Sequence, residues 1–206
     1  MKKILAFMMA FAMLFSFAAC SSEESKNGET AEVVPERGTV ENGIYKNSAF
    51  GFVFEADENW YFLTDEEIAS VMGVAAEEIY GEGTVIEGDH IYDVYCVDNE
   101  TNATVSVNYE NLGTLGEMTD ANYYLETVMT QVLSTGAQSG VVDAVISNVK
   151  ISGTEVPCLE IVLEYGDQKI YEKMIVKQIG TWMGTVTVAS LSEEELDSLV
   201  GKISFE

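Results

Sequence analysis

The clearest alternation of apolar and polar residues lies between Tyr45 and Trp60, a stretch that reads YKNSAFGFVFEADENW. Phe50, Phe52 and Phe54 recur at every second position, which is the period of a β-strand that buries one face. The acidic residues that follow predict a turn. The pattern therefore predicts a strand whose aromatic side chains begin a core, with Trp60 in that core just after the turn.

A helix is predicted to follow this strand. Thr64 and Glu67 form a capping box at its start, and Leu63 and Ile68 occupy the flanking staple positions. Apolar residues then recur at helical spacing as far as Ile79.

Two further helices are predicted. The longer runs from Thr119 to about residue 135, with Gly136 as its expected end. The terminal helix begins with a second capping box, Ser192 and Glu195. The apolar stripe of the long helix comprises Ala121, Tyr124, Leu125, Val128, Met129, Val132 and Leu133.

Strands account for most of the remaining chain. Residues 92–97 and 103–109 read as a hairpin around a turn at 98–102, and Val141 to Ala189 reads as a meander of four strands. Pro157 predicts an edge or a bulge where it lies. The predicted fold class is α+β, an antiparallel β-sheet with helices packed against it.

Charged residues predict the register of the meander. A two-residue turn at Ser152-Gly153 places Lys150 opposite Glu155. A second turn at Gly166-Asp167 places two acid–base pairs across the next strands, which is favourable because opposite charges attract across a sheet. These pairs are Glu164 with Lys169 and Glu160 with Lys173. A third turn is predicted near Gly180, with its register left open.

The first 19 residues have the anatomy of a secretion signal. Lys2 and Lys3 precede a continuous apolar stretch at 4–15, and small residues follow it. A membrane span is the competing interpretation, but the stretch is short for one. Phe17-Ala18-Ala19-Cys20 resembles a bacterial lipobox, which implies diacylglycerol on Cys20 and attachment to the bilayer.

The predicted domain organisation has three parts. Residues 1–19 are the signal, 20–43 the lipidated cysteine and a flexible linker, and 44–206 a single domain. The linker prediction follows from composition, since 21–43 has few large apolar residues and cannot bury enough surface to fold alone. Its 23 residues would reach roughly 80 Å when fully extended.

Charge excludes some partners. The 206-residue chain carries 35 acidic and 10 basic residues, a net charge of −25, and no lysine or arginine occurs between Lys46 and Lys150. Nucleic acid is excluded as a partner because phosphate recognition requires the opposite sign. The acidic stretch is interpreted first as a solvated surface, and alternatively as a surface for calcium, a cationic peptide or a basic protein.

Catalytic and metal-binding motifs are not found in the sequence. His90, the only histidine, is predicted to be solvated in a polar loop, and acidic residues are too frequent for any pair to be diagnostic of glycosidase chemistry. Cys96 and Cys158 could form a disulfide, although two free buried thiols are favoured. A calcium site would have to be assembled from loop acids: Glu82, Glu87, Asp89, Asp98 and Glu100.

The stretch from Tyr45 to Trp60 resembles the opening of PsbP-like domains. It consists of Tyr-x-Asn, then Phe-Gly-Phe-x-Phe, then an acidic turn that ends in Trp60. It is more closely similar to small Gram-positive surface lipoproteins of that fold. Those openings usually carry Pro and Gly in the turn, where this chain has Asp57 and Asn59. The resemblance implies an α+β binding fold without shared catalytic residues.

Together these observations predict a membrane-anchored extracytoplasmic lipoprotein that acts as a non-enzymatic binding or accessory module, with no cofactor. A calcium- or solute-binding lipoprotein and a peripheral hydrolase are the alternatives.

Overall fold

The computed structural model describes residues 34–72 and 90–206. The predicted signal peptide, Cys20 and residues 20–33 of the predicted linker lie outside this part, as do residues 73–79 of the first predicted helix. In chain order the strands are β1 (Thr39–Glu41), β2 (Ile44–Asn47), β3 (Phe52–Glu55), β4 (Trp60–Phe62), β5 (His90–Asp98), β6 (Thr104–Asn111), β7 (Val141–Ile151), β8 (Thr154–Tyr165), β9 (Gln168–Ile179), β10 (Trp182–Ser190) and β11 (Ile203–Phe205).

The helices are α1 (Asp65–Met72), α2 (Ala121–Ser139) and α3 (Glu193–Val200), with a short 3₁₀ turn at Gly113–Leu115. Within the two described ranges, no helix has both the length and the apolar character needed to cross a bilayer.

The strands form two antiparallel sheets. The larger has the order β4-β5-β6-β10-β9-β8-β7, and the smaller has the order β1-β2-β3-β11. One face of the large sheet packs against the small sheet and α3, and its opposite face packs against α1 and α2. The α+β prediction is confirmed, while the small second sheet was not predicted. The PsbP-like assignment stays a prediction.

The core between the two sheets is built on the predicted aromatic residues. Phe50, Phe52 and Phe54 are all buried, although the strand itself begins at Phe52. The Phe50 ring stacks on Tyr109 with 4.6 Å between centroids and lies directly over Gly184. A Cβ atom on Gly184 would lie 2.6 Å from that ring, so only glycine permits this approach.

The predicted register of the meander is confirmed. Lys150 pairs with Glu155 across the first hairpin, where Ser152 and Gly153 both have positive φ. Glu164 pairs with Lys169 and Glu160 with Lys173. The register left open at the third turn places Trp182 opposite Ile179.

Pro157 lies in β8, one strand in from the edge of the large sheet. It pairs with Asn148 of β7, and the pairing of β8 with β9 begins only at Cys158. Pro157 therefore occupies a local edge, which suits a residue without an N–H to donate.

The helix starts were predicted better than the helix ends. The Glu67 side chain accepts a hydrogen bond from the Thr64 N–H at 2.9 Å, and Thr64 Oγ1 accepts the Glu67 N–H at 3.4 Å. Ser192 caps α3 by accepting the Glu195 N–H at 3.4 Å, but the second half of the predicted capping box differs, because the Glu195 carboxylate accepts the Ser190 hydroxyl and the Ser192 N–H donates to Ser190 Oγ. The prediction that α2 ends at Gly136 is wrong, because the helix continues to Ser139 and Gly140 supplies the left-handed residue after it.

The predicted boundary between linker and domain is also wrong. Residues 34–43 belong to the fold: β1 pairs with β2, and Arg37 and Gly38 hydrogen-bond to the large sheet and α1. Composition pointed to a linker because these residues have few apolar side chains. They are held by hydrogen bonds and an ion pair rather than by apolar burial.

Candidate binding site

A buried carboxylate holds the N-terminal segment against the large sheet. Asp93 lies at a bulge in β5, where the register shifts between Tyr92 and Val94. A bulge turns a side chain away from its regular direction. Here it places Asp93 beside the hydroxyls of Tyr45 and Tyr109, on the face that carries the small sheet.

Donors surround the Asp93 carboxylate. Both tyrosine hydroxyls donate to Oδ2, and Asn47 Nδ2 donates to the same oxygen at 3.0 Å. The backbone N–H of Gly38 lies 2.8 Å from Oδ1, and Arg37 Nε lies 3.7 Å from it. Burial, and then the charge of Asp93, raise the pKa of both tyrosines, so each stays protonated and continues to donate. The cluster fixes the chain where it enters the domain.

The opposite face of the large sheet carries a second polar group, which we call the polar centre. It consists of Tyr95, Thr104, Ser106, Asn108, Glu172 and Thr187, all of which are buried. They lie on the four adjacent strands β5, β6, β10 and β9.

Strand pairing shows that these side chains share one face. Ser106 lies opposite both Tyr95 and Thr187, and Thr104 lies opposite Ala189, which in turn lies opposite Glu172. Residues directly opposite in antiparallel strands point to the same side of a sheet. The rest of this face, on β8 and β9, is apolar and packs with α2.

Several polar atoms of this group have no hydrogen-bond partner within the described part of the chain. They are the Ser106 and Thr187 hydroxyl oxygens, both polar atoms of the Asn108 side chain, and Glu172 Oε1. Nearby, the Thr185 hydroxyl does have a partner, since it donates to the Asn108 carbonyl at 3.4 Å. Buried polar atoms are paired in most proteins, so several unpaired atoms in one patch require an explanation.

Glu172 has the most unusual environment of the group. Burial raises its pKa to about 8, because a carboxylate loses its hydration there without gaining a cationic neighbour. Its charge also contributes to raising the pKa of Tyr95, after the larger effect of burial. At neutral pH the Glu172 carboxyl is therefore mostly protonated and can donate as well as accept a hydrogen bond.

Sequence reasoning missed the polar centre. In β6 and β10, Thr, Ser and Asn alternate with Val, a pattern usually found where one face of an antiparallel sheet contacts water. Here both faces are buried. The complete burial of all nine residues of β10 appears only in the folded structure.

Of the acids proposed as calcium ligands, Asp98 and Glu100 lie in the described part of the chain. Glu82, Glu87 and Asp89 lie outside the described residues. Asp98 Oδ1 accepts the N–H groups of Glu100 at 2.8 Å and Thr101 at 3.1 Å, which closes the turn between β5 and β6. Across residues 34–72 and 90–206, no three acidic, histidine or cysteine side chains are placed to hold a metal ion.

The histidine and cysteines can now be placed. His90 begins β5 rather than lying in a loop, and it is half-buried, with Nε2 3.7 Å from Glu110 Oε1. Its prediction as a loop residue is wrong because β5 starts two residues earlier than the sequence indicated. Cys96 and Cys158 are free and buried, and burial raises the pKa of Cys158 to about 12. Both thiols are consequently poor nucleophiles.

Comparison with known proteins yields only distant structural similarity. No family model matches the chain, and no curated protein matches it significantly. A structure from Bacteroides thetaiotaomicron VPI-5482 aligns at 11% identity and a TM-score of 0.37, over 84% of this chain and 49% of the other. This chain thus spans about half the length of that protein.

Two further structures are similar at the same level. LpqN, involved in cell envelope biogenesis of Mycobacterium tuberculosis, aligns at 10% identity and a TM-score of 0.36, over 74% of this chain and 82% of LpqN. PA94 from Pseudomonas aeruginosa, a protein of unknown function, aligns at 10% identity and a TM-score of 0.31, over 50% of this chain and 67% of PA94. At these scores, the similarity does not identify a function for this chain.

Proposed function

We propose that the protein is a lipoprotein on the extracytoplasmic face of the cell membrane, anchored through acylated Cys20, and that it acts by binding rather than by catalysis. The observation that carries the anchoring is the sequence Phe17-Ala18-Ala19-Cys20 directly after the apolar stretch 4–15. Each acyl methylene placed in a bilayer contributes ~0.8 kcal/mol, so a diacylated cysteine holds a protein stably.

The position of the domain start supports this arrangement. The described fold begins at Val34, and Arg37 and Gly38 are already fixed to the large sheet. Thirteen residues separate Cys20 from Val34. They span at most ~45 Å when fully extended, which is shorter than the linker predicted from composition. The binding domain is thus expected to stay close to the membrane surface.

Acylation of Cys20 can be tested by metabolic labelling with an alkyne-bearing fatty acid, followed by membrane fractionation. The wild type is expected to take up the label and to fractionate with membranes. The Cys20→Ala variant should do neither, whereas Ser21→Ala, a substitution at the next residue, should behave as the wild type. A Cys20→Ala protein that still carries label or stays membrane-bound would contradict the proposal.

The domain is further proposed to be PsbP-like, on the basis of the residues between Tyr45 and Trp60. We also propose a cationic protein or peptide as its macromolecular partner, since the net charge of −25 would accelerate encounter with a positive surface. Cross-linking in intact cells, with identification of the contacting residues, tests the partner. Contacts to an acidic surface of another protein would contradict the charge argument.

A further inference from the structure

The starting observation is the asymmetry of the large-sheet face that carries α1 and α2. On β8 and β9 this face presents Leu159, Ile161, Met174 and Val176, which are buried apolar residues. On β6 and β10 it presents hydroxyl and amide groups of the polar centre. A sheet face that serves only as packing surface is expected to be apolar throughout.

The unpaired atoms are close together. Ser106 and Thr187 are directly opposite across β6 and β10, and Asn108 is two residues along β6 from Ser106. Strands lie about 4.8 Å apart and two residues span about 6.8 Å. These distances are short enough for a single small molecule to contact Ser106, Thr187 and Asn108 at the same time.

The described helices flank this patch. α1 contacts β5, while α2 contacts β7, β8 and β9. The Tyr124 hydroxyl of α2 donates to Glu110 Oε2 at 2.8 Å, at one end of the polar face. The patch thus lies between the two helices. Because its atoms are buried, a ligand can reach them only when the protein opens locally, and association slower than diffusion is expected.

The chemistry of the patch selects against charged ligands. No lysine or arginine occurs between Lys46 and Lys150, so His90 is the one basic side chain on β5, β6, α1 and α2, and it faces Glu110 at the end of the sheet face, with Nε2 3.7 Å from Oε1. The residues of β9 and β10 on this face are also free of lysine and arginine. Burial keeps Glu172 in its neutral form. The other carboxyl group on this face of β6, Glu110, is already engaged by the Tyr124 hydroxyl and His90, so neither is free to pair with a cationic ligand.

We infer that the polar centre is a binding site for a small uncharged molecule that carries both hydrogen-bond donors and acceptors, of the polyol or primary-amide class. Hydroxyl and carboxamide groups each donate and accept, so a ligand of this kind can satisfy Ser106, Thr187 and Asn108 together. The inference rests on the proposed binding role and specifies its ligand chemistry.

The test is thermal unfolding of the purified full chain in detergent, followed by circular dichroism. Ribitol and glucose represent the polyols, N-acetylglycinamide represents the amides, and putrescine and inorganic phosphate are the charged probes. At millimolar concentration, at least one neutral probe should raise Tm by several degrees through its preference for the folded state. Which neutral probe does so distinguishes polyol from amide. Failure of all neutral probes, or a shift with a charged probe alone, would overturn the inference.

Two variants locate the site. Ser106→Ala combined with Thr187→Val removes hydroxyls that have no described partner, so the free protein should melt no lower than the wild type. The neutral probe should no longer raise its Tm. Asn108→Leu should weaken binding of that probe about tenfold or more, as expected for loss of one or two hydrogen bonds.

The control is Thr154→Val, the same substitution at an exposed strand position, which should keep the full shift in Tm. A probe-induced shift that survives in the double variant would overturn the location of the site. So would a double variant that melts well below the wild type without any probe, since its hydroxyls would then be paired within the protein. None of these outcomes changes the labelling of Cys20, so failure here is distinguishable from failure of the anchoring proposal.

Discussion

The hydroxyl of Tyr45 donates a hydrogen bond to Oδ2 of Asp93, joining residues 48 apart in the sequence. Tyr109 donates to the same oxygen, and the two hydroxyls lie 3.1 Å from each other. One carboxylate thereby connects the N-terminal segment, the small sheet and the large sheet. This cluster is one reason why the N-terminal segment belongs to the domain. The other is an ion pair in which Arg37 Nη2 lies 2.8 Å from Asp65 Oδ1.

Replacing Asp93 by Ala should destabilise the protein by ~3–5 kcal/mol. The change leaves two buried tyrosine hydroxyls, an amide and a backbone N–H without their acceptor, and removing one partner of a buried charged network has this magnitude. Urea unfolding measures the loss. Asp143→Ala is the matched control, because Asp143 is exposed on β7 and its loss should change stability by less than ~0.5 kcal/mol. Equal effects of the two substitutions would contradict the role assigned to Asp93.

The raised pKa of Glu172 predicts that the free energy of unfolding falls as the pH rises. Burial raises its pKa from 4.5 to about 8, so the folded protein binds its proton more tightly than the unfolded chain. Stability that depends on the neutral carboxyl is fully present below pH ~4.5 and is lost as the pH rises through about 8; the whole difference amounts to roughly 5 kcal/mol.

Glu172→Gln tests this directly, since an amide does not titrate. The free energy of unfolding of the wild type should fall relative to that of the variant between pH 5 and 8. The other acidic residues contribute equally to both proteins and cancel in the difference. Parallel stability curves across this range would show that Glu172 ionises normally.

Trp60 should contribute strongly to stability, as the sequence predicted. It is 8% exposed, and its ring meets Phe54 edge-on with 5.0 Å between centroids. Trp60→Ala is expected to cost ~3–5 kcal/mol through lost burial and the cavity left behind. Tyr165→Ala, at a side chain that is 61% exposed, is the control and should cost far less. A loss below ~1 kcal/mol at Trp60 would mean that its ring is not core.

Calcium and magnesium should stabilise the protein equally at the same ionic strength. Among the residues proposed as ligands, the Asp98 carboxylate is already engaged by backbone N–H groups of its own turn. General screening acts the same way for both ions. Melting temperatures measured at millimolar concentrations of each ion decide the matter. A rise of several degrees with calcium alone would instead indicate a specific oxygen site, for which magnesium is a poor substitute.

The sequence by itself determined the elements whose signals are local. Turn residues at Ser152-Gly153 and opposite charges such as Glu164 and Lys169 lie within a few positions of each other, so they specified the hairpin registers. The helix starts at Thr64 and Ser192 were predictable for the same reason, because a cap is complete within four residues. The Phe50-to-Phe54 alternation located the core but not the sheet that forms it.

Only the tertiary structure decided which polar residues are buried and what holds the chain ends. The small sheet joins β3 to β11, about 150 residues later, through strands of three or four residues that carry little periodic signal of their own. Asp93 is buried because a bulge turns it toward tyrosines from two other strands. The polar centre is buried in the folded protein, although the alternation of its strands is by itself typical of contact with water. Each of these depends on contacts between residues distant in sequence, and alternation along one strand does not reveal what packs on its polar side.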